Sequence, residues 1–323
     1  MADGVQLADD LQASSPEIAL ALSRAGVSGV QKAVRIRRGD AETVMAAVID
    51  CTVDLAADQK GVHMSRFSEL FEDAIELVVE REALLVEVLA EHIASSVVER
   101  QGALKAEVWI RAQWPIHRRT PVTELATQEM VTLCGIAAAS ESGTRRAVGV
   151  EATGINACPC AQGLVRNRAS ERLLDAGFDA GDVERILELV PIATHNQRGR
   201  QTLFVGTEQD LDAEVLVDVA ERSMSAPIYD LLKRPDELFV VEHAHLQPRF
   251  VEDSVRYALR DALETLPQLD DGDFLVSKQI NFETIHVHDV VAERFGTVGE
   301  LRGELASGVA SPTQTTLAAW LGS

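Results

Sequence analysis

The feature that most constrains this chain is that its elements come in the same order twice. In the first half, "KAVRIRR" and "TVMAAVIDCTVDL" are rich in β-branched residues and predict strands. Two helices follow. "SRFSELFEDAIELVVER" sets Phe67, Leu70, Phe71, Ala74, Ile75 and Val78 on one stripe, with Ser65 as the N-cap. "LLVEVLAEHIASSVVER" repeats the pattern through Val86, Leu89, Ile93 and Val97, and strands resume at "LKAEVWIRAQW" and "EMVTLCGIAA". The second half opens on the strands "RRAVGVEATGI" and "QTLFVGT". Helices come at "AEVLVDVAERSM" and "FVEDSVRYALRDALETL", then a strand region over "FLVSKQINFETIHVHDVVA". The order strand, strand, helix, helix, strand, strand thus occurs in both halves. It predicts an α+β architecture of two antiparallel sheets, each backed by a helix pair. An acidic segment covers 1–30, a first module 31–142 and a second 143–323, with a helical insertion at about 163–192. Each sheet would leave edge strands, so a homo-oligomer that pairs them is expected.

Charge narrows the classes of partner. The formal net charge is −21, and lysine stands only at positions 32, 60, 105, 233 and 278. Such a surface repels nucleic acid and anionic lipid, so neither is an expected partner. It also suits a salt-rich cytoplasm, where charges are screened within a few ångströms, which predicts a halophilic, archaeal type of protein. No uncharged apolar run reaches about 18 residues, so no membrane span is expected. The N-terminus lacks the basic-then-apolar layout of a signal peptide, and a cytoplasmic protein is expected. Of four cysteines, Cys51 in "VIDCTV" and Cys134 in "TLCGIA" predict reduced core residues.

The other two form "NACPCAQ", where disulfide, redox pair, metal ligand and nucleophile are all candidate roles. Three further stretches belong beside it: "ATHNQRGR", "VVEHAH" and "NFETIHVHD". Together they hold Cys158, Cys160, Glu242, Glu283 and five of the chain's eight histidines: His195, His243, His245, His286 and His288. Thiolate, imidazole and carboxylate gathered at strand ends and loops suit a divalent ion of borderline softness, Zn²⁺ or Fe²⁺. In an extended strand Glu283 points away from His286, so sharing an ion requires a bulge or turn between them. An open metal site brings the pKa of bound water to about 7, which suits hydrolysis at an electron-poor carbon. No phosphate loop, dinucleotide fingerprint or nucleophile elbow is present, so kinase, dehydrogenase and serine hydrolase chemistry fall away. Anion-binding candidates are Lys60, His63 and Arg66 in "DQKGVHMSRF", just before a helix N-terminus. Lys233, Arg234, Arg198 and Arg200 join them from two other loops.

In order, "DQKGVHMSRF", "CPC", "HNQRG", "LLKRPDE", "FVEDSVR" and "NFETIHVH" resemble the motifs of type IB GTP cyclohydrolases, most nearly the archaeal branch that opens the methanopterin pathway. The resemblance covers roughly positions 30 to 290. It implies two tandem tunnelling-fold modules. It further implies that His195 and His286 are metal ligands, with Glu283 and Glu242 at or beside the ion. The functional cysteine falls in "CPC", Cys158 being the better match and Cys160 staying open. Glu252 corresponds to the glutamate that grips the guanine edge by two parallel N–H bonds. His63, His243 and His288 are candidate general acids or bases, and Lys60, Arg66, Arg198 and Lys233 candidate triphosphate ligands. The implied substrate is GTP and the implied ion Fe²⁺, with Mn²⁺ or Zn²⁺ as alternatives. Water adds to C8, the imidazole ring opens, formate leaves, and pyrophosphate departs to give 7,8-dihydroneopterin 2′,3′-cyclic phosphate. The alternatives are dihydroneopterin triphosphate as product, a thiol-nucleophile enzyme acting on a purine-like base, or a non-catalytic metal-stabilised nucleotide-binding protein. The chain departs from the bacterial pattern in two ways: the insertion parts the cysteine and histidine motifs, and Pro227 stands where those relatives carry a glutamate.

Overall fold

The expected order of elements is present, and an antiparallel register stitches it into one sheet rather than two. The computed structural model describes residues 12, 14–38, 41–80 and 85–322, with side chains at all of these except 36–38, 41–42 and 75–80. In the first half, β1 (Leu22–Arg38) and β2 (Ala41–Leu55) lead to α1 (Met64–Glu80) and α2 (Val86–Gln101), then β3 (Lys105–Arg119) and β4 (Ala126–Ser140). In the second, β5 (Gly143–Ala157) is followed by α3 (Pro159–Asp175), α4 (Ala180–Leu189) and β6 (Asn196–Gly206). Then come α5 (Ala213–Arg222), the short β7 (Ala226–Pro227), α6 (Arg234–Leu246) and α7 (Val251–Thr265). The chain closes with β8 (Phe274–Asn281), β9 (Val290–Thr297), α8 (Val298–Ser307) and α9 (Leu317–Leu321).

The strand path is β1-β2-β3-β4-β5-β6-β8-β9, with β7 paired to β5. The two expected sheets merge because β4 and β5 form a hairpin: Ser140 faces Gly143, and the pairing runs on to Thr132 opposite Glu151. The boundary expected at 142 is therefore a turn inside the sheet. Several other expectations shift. β1 begins at Leu22, inside the stretch assigned to the acidic segment, and the insertion starts at Pro159, ahead of 163. α1 begins at Met64, so Ser65 lies in its first turn rather than capping it. The stretch "VVEHAH" lies on α6, not on a strand end, because Pro235 fixes a helical φ and Asp236 accepts the Lys233 N–H at 3.0 Å.

One face of the sheet carries the helices. Ile49, Ile110 and Leu203 meet Phe67, Phe71, Leu89, Ile93 and Leu216 there, all essentially without exposure. Each such side chain contributes roughly 1.5–3 kcal/mol on burial. The α2 stripe is buried as its periodicity predicts, and on α7 Val251, Val255, Ala258, Leu259 and Ala262 form a buried stripe at the same helical spacing, while Ile75 and Val78 of α1 lie outside the described side chains. α2 can lie directly on β4 because position 135 is glycine: a Cβ there would stand 2.6 Å from the Val86 carbonyl oxygen. Cys51 and Cys134 are buried free thiols, and burial pushes both up to about 12. On the opposite face Trp320 of α9 stacks on Phe274, ring centroids 5.5 Å apart. Among the described residues no helix is long and apolar enough to cross a membrane.

Beyond Glu151 the sheet splits. β4 continues to Ala126 beside β3, whereas β5 turns its Gly154 and Ile155 to β7. Asp236 closes the gap: it accepts the Val122 and Thr123 N–H groups at 2.9 Å and the Thr123 hydroxyl at 2.6 Å, binding the β3–β4 turn to the start of α6. The ends of β5, β6 and β8 project past this split.

Candidate active site

Register decides which side chains meet. Ala157, the last residue of β5, pairs with Asn196, the first of β6, so the residues just outside the ladder are Cys158 and His195. The Cys158 N–H donates to the His195 carbonyl at 3.1 Å, and the Thr194 hydroxyl donates to the Cys158 carbonyl at 2.9 Å. Residues parted by the whole insertion thereby stand side by side. Cys158 is the N-cap of α3, its sulfur accepting the Ala161 N–H at 3.4 Å. On the next strand, Gly199 pairs with Asn281 and the Phe282 N–H donates to the Arg198 carbonyl at 2.9 Å, which delivers Glu283 to the same end. The first turn of α7 adds Glu252.

A cavity of about 410 Å³ lies between these segments. Its wall includes Cys158, His195, Glu252, Glu283 and His286. β8 ends at Asn281 and β9 starts at Val290, so the chain turns between Glu283 and His286, and both reach one cleft. The expected continuous strand over this region is thus two strands and a loop.

Hydrogen bonds fix the tautomer of His195. The carboxylate of Glu283, 7% exposed, can only accept, and Gln197 Nε2 donates to it at 3.1 Å. Gln197 therefore turns its Oε1 to His195 Nδ1, 3.1 Å away, so in the neutral ring Nδ1 carries the proton and Nε2 the lone pair. That is the form of imidazole that ligates a metal, oriented by an outer partner. The donor set of Cys158 sulfur, His195 Nε2, the Glu283 carboxylate and the His286 imidazole suits Fe²⁺, Mn²⁺ or Zn²⁺. As they stand, no three such side chains among the described residues converge to enclose an ion.

Other expected site residues lie elsewhere. Cys160 is exposed on α3, outside the cavity wall. Glu242 is exposed on α6 and does not join the cavity, and His243 of the same helix stacks on Phe239 at 5.3 Å. Burial and the nearby Arg249 guanidinium hold His243 below its ordinary value. His288 is exposed and stacks on His286, ring centroids 5.3 Å apart. Arg198 follows Gln197 on β6 and faces the opposite side of the sheet, where it lines a second cavity with Glu129 and Tyr229. Lys233 is exposed at the N-cap of α6. Lys60, His63 and Arg66 gather at the start of α1 in the other half, with the His63 carbonyl accepting the Arg66 N–H at 3.1 Å and Gln101 Nε2 at 3.2 Å. Three polar cavity residues were not singled out from sequence: Gln197, Arg249 and Asn281. Two of them stand inside the quoted motifs "HNQRG" and "NFETIH", but neutral amides carry no chemical signature of their own.

Comparison with known proteins bears on the family and the fold. The sequence model described as "Type I GTP cyclohydrolase folE2" matches residues 8–292. The chain is 39% identical over 307 residues to GTP cyclohydrolase MptA of Methanosarcina acetivorans, covering 92% of this chain and 96% of that protein. It is 40% identical over 304 residues to the protein of that name from Methanothermobacter thermautotrophicus, covering 92% and 95%. The Haloferax volcanii protein is 39% identical over 300 residues, covering 92% and 97%. Among solved structures, uricase from Arthrobacter globiformis superposes with a TM-score of 0.51 at 9% identity, covering 92% of this chain and 98% of that one. That likeness speaks for the fold alone, the tunnelling fold of urate oxidases. The length of the family match and of the curated alignments decides membership: the chain belongs to the type I GTP cyclohydrolase family.

Proposed function

We propose that the chain hydrolyses GTP to 7,8-dihydroneopterin 2′,3′-cyclic phosphate, releasing formate and pyrophosphate at the start of pterin synthesis in the cytoplasm. The observation that carries this reading is the meeting of Cys158, His195, Glu283, His286 and Glu252 in one cleft, from segments far apart in sequence. The first four would hold Fe²⁺. Bound there, the ion supplies hydroxide from water near neutral pH. Glu283 offsets the ion's charge, and Gln197 keeps His195 in its ligating tautomer. Glu252 would accept paired N–H bonds from the guanine edge and so orient the base within the cleft. His288, carried beside His286 on the cleft's own loop, is assigned the proton transfer when the imidazole ring opens. His63 and His243 sit outside the cleft. Lys60, Arg66 and the helix start they flank suit a polyphosphate, and a second copy of the chain is the means of bringing them to the cleft; the active enzyme is then a homo-oligomer with sites between subunits.

Anaerobic incubation with GTP and Fe²⁺, followed by mass spectrometry, tests the reading. Formate with the cyclic phosphate supports it; formate with dihydroneopterin triphosphate keeps the cyclohydrolase and corrects the product. No formate with Fe²⁺, Mn²⁺ or Zn²⁺ from folded protein in high salt refutes it. Cys158→Ala is expected to abolish turnover and Cys160→Ala to leave most of it.

A further inference from the structure

Asn281 ends β8, is only 2% exposed, and yet stands on the cleft wall. Which way round its amide lies is settled by a chain of buried hydrogen bonds. The first link is the backbone N–H of Ser225, which can only donate, and does so to Asn156 Oδ1 at 3.1 Å. Asn156 is left to donate through Nδ2, to Ser254 Oγ at 3.0 Å and to Asn281 Oδ1 at 2.9 Å. Gln279 turns its Nε2 to that same Asn281 oxygen at 2.9 Å. Its own Oε1 is then buried with no partner, but reversing the amide would set two carbonyl oxygens face to face. Gly199 makes room for this cluster, since a Cβ there would lie 2.2 Å from Gln279 Nε2. With its oxygen used twice inside, Asn281 has its Nδ2 left over, without a partner among the described residues.

We propose that Asn281 is a specificity-determining residue whose Nδ2 donates to O6 of a bound guanine. This rests on the reading of the cleft as a purine nucleotide site. Glu252 can only accept, and the amide of Asn281, locked by Asn156, can only donate toward the cleft. Guanine matches both: N–H donors on one edge and the acceptor O6 beside them. A purine with an amino group in place of O6 would set N–H against N–H at Asn281 and, its N1 being unprotonated, would also cost Glu252 one of its paired donors; the part of the preference that changes on substituting Asn281 is that residue's own.

Asn281→Asp isolates the effect, because a carboxylate oxygen still accepts from Asn156 and Gln279 while the cleft-facing atom changes from donor to acceptor. Calorimetric titration with guanosine and with 2,6-diaminopurine riboside reads the preference, and neither carries a phosphate for the new charge to repel. Wild type is expected to favour guanosine, and the variant to move the ratio toward the diaminopurine by about 10- to 100-fold. Asn281→Ser, which buries no charge, is the second variant and should shrink the preference without abolishing it, because diaminopurine N1 carries no proton and still meets the Glu252 carboxylate with one N–H fewer than guanine does. A ratio unchanged in both variants overturns the inference while leaving the nucleotide site intact. A wild type that binds neither guanosine nor GTP overturns the site reading and the inference together.

Discussion

At the scale of single residues, the thiol, imidazole and carboxylate side chains that meet in the cleft were legible, and the amides hydrogen-bonded to them were not. Cys158, His195, Glu252, Glu283 and His286 drew notice because thiols, imidazoles and carboxylates are scarce and clustered. Gln197 and Asn156 did not, since a neutral amide acts only through partners that the sequence does not reveal. Both should matter. Gln197→Ala frees the His195 ring and leaves Glu283 without its donor, so Fe²⁺ or Zn²⁺ affinity should fall about 10- to 100-fold with the fold intact. Metal titration followed by calorimetry, alongside a melting curve, checks this. Asn156→Ala strands the buried Ser225 N–H and takes one of its two donors from Asn281 Oδ1, leaving Gln279 Nε2 as the other, and about 1–3 kcal/mol of stability should be lost. A urea titration reads it as a lower midpoint at unchanged slope. The helix that carries Glu242 away from the cavity wall was not legible for a physical reason: "VVEHAH" satisfies strand and helix periodicity alike, and the deciding cap lies several residues upstream at Pro235 and Asp236.

At the scale of elements, the strands and the α1, α2 and α7 stripes followed from periodicity. The merging of two sheets into one did not, because pairing across the Glu141–Ser142 turn is a choice of register rather than of local pattern. Two carboxylates hold elements in opposite electrostatic circumstances. Asp236 is buried among four donors that keep its carboxyl well below the usual carboxylate range, so its contribution is complete above an ordinary aspartate pKa and fades as pH falls through the depressed one. Asp236→Asn turns a donor toward those N–H groups and should lower the melting temperature at pH 7, with a smaller difference in strong acid. Glu87, in the first turn of α2, is pushed by burial from 4.5 to about 7, with the Arg146 charge opposing. Between those values the native chain holds a proton that the unfolded chain has lost, so this group's stability declines as pH rises across that window. Glu87→Gln should flatten that decline in melting curves taken between pH 5 and 8, and an identical slope in both proteins would refute the assignment.

At the scale of the whole molecule, the net charge of −21 acts as self-repulsion that salt relieves. The melting temperature is expected to climb steeply with KCl. Full stability at roughly 10 mM ionic strength, where screening is weak, would sink the salt-adapted reading. Among the described residues the outermost strands of the sheet are β1 and β9, the edges that the proposed homo-oligomer would have to pair or cover.

The backbone bond from Cys158 to His195 has a topological meaning beyond the site. It cinches the chain into a lasso whose neck is already closed, so the stretch from Pro159 to Thr194 hangs from the sheet as a pendant. Lengthening such a loop costs only in proportion to the logarithm of its size. Only the first turn of α3 is tied to the neck, through the Cys158 cap and the Gln162 bond to the His245 carbonyl, so the part of the pendant beyond that turn is where a lineage could graft, trim or exchange helices with least effect on the cleft.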